Sequence, residues 1–580
     1  MAMMMMILTR RLAVLLLLPT ALSVGATPAA AFFAPPAVPT FGPSSAARIT
    51  RSRQQQQQQQ QKQLQYSRNR PPPQQNQLRE TKSGSVEEDL QSKCVALDEA
   101  FGKVQSDVAK TCKVRIQPTT MMSIGGEGGG RPQLGLFATK KISKGETVLA
   151  MPYDDRYVFT ADLARDVFFK GSMPETYDGW TGESGLIALL VLNEVALAAG
   201  EKGAEPPTKR DPALRDFMKA WASALPGPAD LDHPLLWSEE DQEVLQSSST
   251  NKIYRKLDDL EDDATWLEEN IFSKDRDRFP EHVQRNGERV DCFNQNGFRW
   301  AIALVQSRSF FVDGCQRLIP FLDMCNHSDE GDEVQPGFMG TFGTTKGVQL
   351  VAGQSYQAGD EVTCSYGPKS AADYLLEHGF CPDGCWKTSV SEVTFEVDPD
   401  DRFHDDKLDI LEFETYDQAP MDPVQSFDVV SAPGRDGEPD PAMVQFIRLC
   451  KLKGTDAFLL ESIFRKEVWG FMSLPVSELN ELDVVNAISE TCQAALDELN
   501  DCPAGGPDVC SKLRESEKKA LSRTIEYLQR EREALDLKEY YQERRLKDLG
   551  LDSDWSPEDD LDADLGYGQT RAPGGADYDW

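Results

Sequence analysis

The chain has no repeated cysteine spacing. Its twelve cysteines are scattered from Cys94 to Cys510, which excludes a disulfide-stapled scaffold or a zinc ribbon and leaves most of them as small buried hydrophobes. The one close pair, Cys381 and Cys385, lacks a second half of matching spacing, so no metal is expected. The apolar run Leu12–Leu18 is too short to span a bilayer, and the mature chain is expected to stay off membranes. Acid is absent from residues 1–79, which hold nine Lys and Arg, so the formal charge of −34 becomes −43 over residues 80–580. So acidic a body repels phosphate backbones. Nucleic acid is therefore not expected as a direct partner, whereas a basic protein surface is compatible.

What is present begins with targeting signals. Arg10 and Arg11 precede the run Leu12–Leu18, and the small residues Ala29-Ala30-Ala31 close a signal peptide over residues 1–31. Phe32-Phe33-Ala34-Pro35-Pro36 and a Ser/Arg/Gln-rich tract follow, a transit-peptide-like segment over 32–79. This bipartite pattern is similar to presequences of proteins imported into plastids of secondary algal origin, and plain secretion is the alternative. Gln54–Gln61 is low-complexity and expected to be disordered.

With 580 residues, 40% of them hydrophobic, the chain has room for two or more cores. Residues 80–130 form an N-terminal extension with a helix expected over Ser85–Lys110, ending near Pro118 ahead of the Gly-rich break Gly125–Gly130. Leu134–Thr139 and Thr147–Met151, joined around Lys144-Gly145, predict a hairpin. The stretch Ser143–Val148 is echoed at Gln357–Val362. A helical insert over about 183–285 carries Leu186, Leu189, Leu190, Phe217 and Trp221 at helical spacing, without catalytic spacing, and reads as packing and the wall of a groove. Residues 382–440 read as a linker and 441–550 as all-helical. The strongest amphipathic pattern starts near Ser511, with Leu513, Leu521, Ile525, Leu528 and Leu535 on one face, and Gly550 ends it. Residues 551–580 are acidic and expected to be disordered. Periodicity alone gives mixed α and β.

Three segments carry the chemistry. Phe298–Phe310 reads FRWAIALVQSRSF, Leu318–Ser328 reads LIPFLDMCNHS, and Gly359–Phe380 reads GDEVTCSYGPKSAADYLLEHGF. In that order, behind LGLFATKKISKGETVLAMP, they resemble the split SET domain of protein methyltransferases, in the branch typified by the Rubisco large-subunit lysine methyltransferase. The helix from Ser511 resembles the end of that branch's helical substrate-binding domain. The resemblance implies an α+β fold: a SET β-fold over residues 131–381 with a threaded (pseudoknot) C-terminal segment and the helical insert, followed by an all-α substrate-binding domain.

The resemblance also implies S-adenosylmethionine (AdoMet) as the cofactor and a protein side-chain amine as the methyl acceptor. Such an enzyme needs nitrogen, methyl and sulfur in line, and neither metal nor covalent intermediate. Tyr366 matches the tyrosine that closes the transfer channel and is the catalytic candidate. Pro132, Gln133, Leu134, Arg308, Asn326, His327, Tyr366 and His378 are the cofactor-binding candidates, with Arg308 a natural fork for the methionyl carboxylate. Ser307, Phe310 and Asp323 match substrate-channel positions. Phe310 favours lysine, because the actin-histidine enzymes of the branch carry Asn there.

Three residues depart from the family pattern. Gln133 replaces a glycine, Ala371 an asparagine and His378 a tyrosine, so histidine methylation and a catalytically idle SET fold used as a binding module remain alternatives. The partner expected is a protein substrate, the Rubisco large subunit or another plastid protein, met by a monomeric enzyme.

Overall fold

The structure is a computed structural model and describes residues 83–121, 131–245, 249–250, 252–285, 287–339, 343–413, 421–502 and 505–549. The segments expected to be targeting signals, the glutamine tract, Gly125–Gly130, Gly550 and the acidic tail lie outside the described residues.

Helix Ser83–Val108 leads into the short strands β1 (Thr111–Cys112) and β2 (Val114–Met121), followed by β3 (Arg131–Ala138) and β4 (Thr147–Pro152). After the insert come two hairpins, β5–β6 (His282–Arg285, Glu288–Asp291) and β7–β8 (Phe310–Val312, Cys315–Arg317), separated by helix Gln295–Arg308. Then follow β9 (Asn326–Met339), β10 (Thr345–Val351) and β11 (Glu361–Cys364). Seven strands join in one sheet of order β1-β4-β10-β9-β11-β3-β2, in which only the β11–β9 pairing is parallel.

Two expectations are corrected here. β3 and β4 do not form a hairpin: β3 spends one edge on eight pairs with β2 and the other on β11, while β4 pairs with β1 and β10, so neither has an edge left for its neighbour in sequence. Nor does Pro118 end a helix. It sits within β2 opposite Leu134, on an edge strand where a missing N–H is tolerated. β1 and β2 of the supposed N-terminal extension are thus strands of the main sheet.

The echoed segments meet each other. Ile142 and Tyr356 exchange both main-chain bonds, at 3.0 and 2.9 Å. On either side Gly145 N–H donates to Ala352 O (2.7 Å) as Gly359 N–H donates to Ala138 O (2.8 Å). Ala352 N–H donates to Glu146 O as Ala138 N–H donates to Asp360 O, each at 2.9 Å. Gly145 and Gly359 have φ of +83° and +94°, which only glycine adopts without strain. The repeat in sequence is therefore a local two-fold in space.

In the insert, helix Gly182–Ala199 is apolar on every side because other helices surround it, and twelve of its residues, Gly185–Ala196, are buried. Glu194 within it is paired with Arg210 at 2.8 Å, both side chains 2% exposed. Beyond the sheet, residues 382–440 are no linker. They hold β12 (Ser389–Glu396), β13 (Val424–Ala432) and β14 (Arg435–Asp436), a three-stranded antiparallel sheet. Ser389, Ser391, Val393 and Phe395 alternate inward along β12. Val393, Phe395, Val397 and Val429 join Met443, Phe446, Ile447 and Leu521 in a second hydrophobic core, so the helical region that begins at Pro441 packs on this small sheet.

The long amphipathic pattern also breaks. Helix Asp508–Glu533 is followed by a single 3-10 turn, Leu535–Leu537, and a separate helix, Tyr541–Asp548. The first of these helices belongs to both cores: Val509, Cys510 and Leu513 pack in the first, Ala520, Leu521 and Leu528 in the second.

Candidate functional site

The stretch LIPFLDMCNHS crosses from hairpin to sheet through a strained turn. Leu318 bridges Phe159, Phe321 takes φ +82°, and one 3-10 turn, Leu322–Met324, precedes β9. The Phe321 ring stacks on Phe101 of the N-terminal helix, centroids 3.5 Å apart, so packing holds a backbone conformation that a bulky residue rarely adopts. The turn buries Asp323 to 4% exposure.

Asp323 is held from two sides. Trp221 Nε1–H, from insert helix Pro212–Ala224, donates to Oδ2 at 3.0 Å. Arg308 Nη1 donates to the Asp323 main-chain oxygen at 3.1 Å and lies 3.6 Å from Oδ2. Burial pushes the carboxyl up to about 6, against the pull of Arg308 and Trp221. The insert is thus more than the wall it reads as in the sequence.

Helix Gln295–Arg308 is capped by the Asn294 side chain, ends at Arg308 and delivers Ser307, Arg308 and Phe310 at its C-terminal end, where the cation suits the helix dipole. From the other side β11 runs into Tyr366, which is fixed at both ends. Its N–H donates to His327 Nδ1 (3.2 Å) and its hydroxyl to Cys325 O (2.9 Å). Burial raises the pKa of this phenol well above its usual value.

That backbone bond makes Nδ1 of His327 an acceptor, so its Nε2 carries the proton, 3.4 Å from the Tyr374 hydroxyl and 3.5 Å from Asp329. Burial lowers its pKa, and its side chain is 3% exposed. Asn326 is likewise a frame residue in its side chain: Nδ2 donates to Leu134 O (3.1 Å) and Glu361 Oε1 (2.8 Å), tying β9 to β3 and β11. Gly135 must be a glycine beside this knot, because a Cβ there would lie 2.6 Å from Glu361 Oε1 and 3.0 Å from Asn326 Nδ2.

Ser307, Arg308, Phe310, Asp323, Tyr366 and His378 line one cavity of about 670 Å³. Gln133, Leu134, Asn326 and His327 are not among its lining residues. Pro132, Gln133 and Leu134 lie on β3, Asn326 ties β9 to β3 and β11, and His327 holds the Tyr366 main chain. Sequence reading missed Glu183, Lys256, Gln306, Gln316, Lys369 and Glu377 on the same walls. One signal was available: Asp313-Gly314, both at positive φ, make the tight turn that folds Phe310–Arg317 into a hairpin and brings Gln316 round. Lys256 and Glu183 come from helices far off in sequence and carry no local signature.

Comparison with known proteins covers both cores. The family model described as the SET domain matches residues 133–367, and that described as Rubisco LSMT substrate-binding matches 398–501. A ribulose-1,5-bisphosphate carboxylase/oxygenase large subunit N-methyltransferase, chloroplastic, of Nicotiana tabacum is 30% identical over 441 residues, 72% of this chain and 80% of that protein. The chain belongs to the SET-domain methyltransferases of the Rubisco LSMT type.

Within this family the chain is also 33% identical to the [fructose-bisphosphate aldolase]-lysine N-methyltransferase, chloroplastic, of Arabidopsis thaliana, over 56% of this chain and 67% of that one. An actin-histidine N-methyltransferase of Rattus norvegicus matches less of it, 29% identical over 192 residues, 32% of this chain and 30% of that protein. Among solved structures, the SET domain of LSMT bound to lysine and AdoHcy superposes with a TM-score of 0.61 at 26% identity, covering 81% of this chain and 98% of that one. Rubisco LSMT bound to AdoMet gives 0.58 over 81% and 99%.

Proposed function

We infer that this chain is an AdoMet-dependent protein-lysine N-methyltransferase, and we propose that it works as a monomer in the plastid stroma on a soluble non-histone protein, the Rubisco large subunit or a plastid aldolase being the first candidates. Support for the location comes from the bipartite N-terminal pattern and from the chloroplastic relatives. The body charge of −43 favours a basic docking surface on the substrate and disfavours nucleic acid.

The observation that carries the reading is the convergence of Arg308, Phe310, Asp323, Tyr366 and His378 on one cavity. The donor set fits AdoMet and an amine: Arg308 offers a cation for a carboxylate, while Gln306 Oε1, Asp323 Oδ1 and His378 Nε2 are buried acceptors without a hydrogen-bond partner. When bound, AdoMet supplies a methyl already activated on a sulfonium.

In this reading Arg308, the main chain of Pro132–Leu134 and of Asn326-His327, and Tyr366 hold the cofactor, while Ser307, Phe310 and Asp323 line the lysine channel and His378, a cofactor candidate by the family resemblance, closes the wall beside Tyr366. A lysine amine with an ordinary pKa of about 10.4 must enter neutral, and burial beside a cation favours that form. Tyr366 has its hydroxyl fixed by Cys325 O and serves to orient the amine rather than to act as a strong base.

The test is transfer of radiolabelled methyl from AdoMet by the full chain into soluble plastid protein, with the labelled residue mapped by mass spectrometry. Label on lysine that falls sharply with Tyr366→Phe is expected. Label on histidine would place the chain with the actin-histidine relatives instead, and a folded chain that binds no AdoMet would leave only the binding-module alternative.

A further inference from the structure

His378 stands where the family resemblance leads one to expect a tyrosine, and the exchange changes the chemistry of the cavity wall. A tyrosine hydroxyl can donate as well as accept. The ring of His378 lies against that of Tyr366, centroids 4.6 Å apart and 33° between planes, with Phe380 at 6.2 Å and Tyr374 at 5.9 Å. Its Nδ1 lies 3.4 Å from the Ser307 carbonyl oxygen. A carbonyl only accepts, so Nδ1 carries the hydrogen and Nε2 carries a lone pair. That Nε2 is buried, has no hydrogen-bond partner, and belongs to a residue lining the cavity.

The ring remains neutral at working pH. Burial lowers its pKa to about 4, and Lys369 and His327 push in the same direction while Glu377 opposes them. A buried acceptor left open is costly, and an occupant of the cavity that brings a donor to it removes that cost. Three groups offer an N–H: the amine of the target lysine and, on AdoMet, the methionyl amino group and the adenine amino group. The contact with the Tyr366 ring, together with Phe310 and the Ser307 carbonyl, favours the target.

We propose that His378 Nε2 accepts an N–H of the target amine, orienting its lone pair for transfer, and that His378 is a positioning residue for the acceptor lysine rather than for AdoMet. The proposal rests on the methyltransferase reading of this cavity. It has a consequence for successive transfers: an unmethylated amine has two N–H groups, a monomethylated one has one and a dimethylated one has none. Support from His378 is therefore greatest for the first methyl and fades with each addition.

Calorimetry on the full chain tests this with probes that need no knowledge of the natural substrate: AdoHcy alone, then free lysine and trimethyllysine in the presence of AdoHcy. Expected for His378→Phe is roughly tenfold weaker lysine binding, with AdoHcy and trimethyllysine binding unchanged. His378→Gln, which returns an acceptor near the place of Nε2, should recover most of the loss. Weakening of AdoHcy in parallel would overturn the proposal and assign the acceptor to the cofactor. Equal loss for lysine and trimethyllysine would reduce His378 to packing, and AdoHcy binding without any lysine binding by the wild-type chain would overturn the proposal while leaving the cofactor reading intact. Absence of AdoHcy binding would instead bring down the methyltransferase reading itself.

Discussion

At the scale of residues, the site depends on a few side chains whose polar atoms are committed to one another. Tyr366 is pinned through its own N–H and its hydroxyl. Replacing it with Phe removes the hydroxyl and leaves the ring, so kcat should fall roughly a hundredfold while AdoHcy binding measured by calorimetry holds. Asp323 predicts a pH dependence. Its carboxyl is pushed up to about 6, so it ionises only above that pH, and kcat/KM should drop as pH falls through about 6. Asp323→Asn should flatten that acid limb, and a pH–rate profile checks it. The residue types were legible from sequence because the motifs keep them close in the chain. Their tasks were less so: the side chains of Asn326 and His327 serve the frame, a matter of which way a side chain turns.

At the scale of elements, the site is held by pieces that sequence spacing did not connect. The N-terminal helix supports Asp323 at one remove, since Phe101 stacks on Phe321 and Phe321 holds the strained entry to the 3-10 turn. Phe101→Ala should cost about 3–5 kcal/mol of stability, seen as a lowered midpoint in urea, and should raise KM for the protein substrate where the fold survives. The echo between Ser143–Val148 and Gln357–Val362 was visible in sequence, but its meaning was not. Two similar turns could have lain in separate hairpins; the bonds between Ile142 and Tyr356 make them halves of one two-fold. The hairpin expected of β3 and β4 failed for the same reason, because strand pairing is decided by which edges remain open.

At the scale of the whole molecule, helix Asp508–Glu533 runs from one core into the other, and Glu517 sits where it crosses. Glu517 Oε1 accepts the Ser249 N–H at 2.7 Å while Oε2 has no partner, and burial raises the pKa to about 7. Because the folded value lies above the unfolded one, the folded protein holds the extra proton between about pH 4.5 and 7. Stability should therefore fall as pH rises through that window. Glu517→Gln should raise the thermal midpoint at pH 8, by an amount worth roughly 1–3 kcal/mol, and change little at pH 4.5. Parallel melts at the two values decide it.

Sequence by itself determined the acid-free composition of residues 1–79, the absence of repeated cysteine spacing, the motif residues of the cavity and the family they resemble, because each of these is local or compositional. Tertiary structure alone decided that residues 382–440 hold a three-stranded sheet, that the insert gives Trp221 to Asp323, and that Lys256 and Glu183 face the same space as the motif residues. The reason is physical. Local pattern fixes which face of an element is apolar, whereas the partner that covers that face, and the polar groups it brings along, follow from packing between segments far apart in the chain.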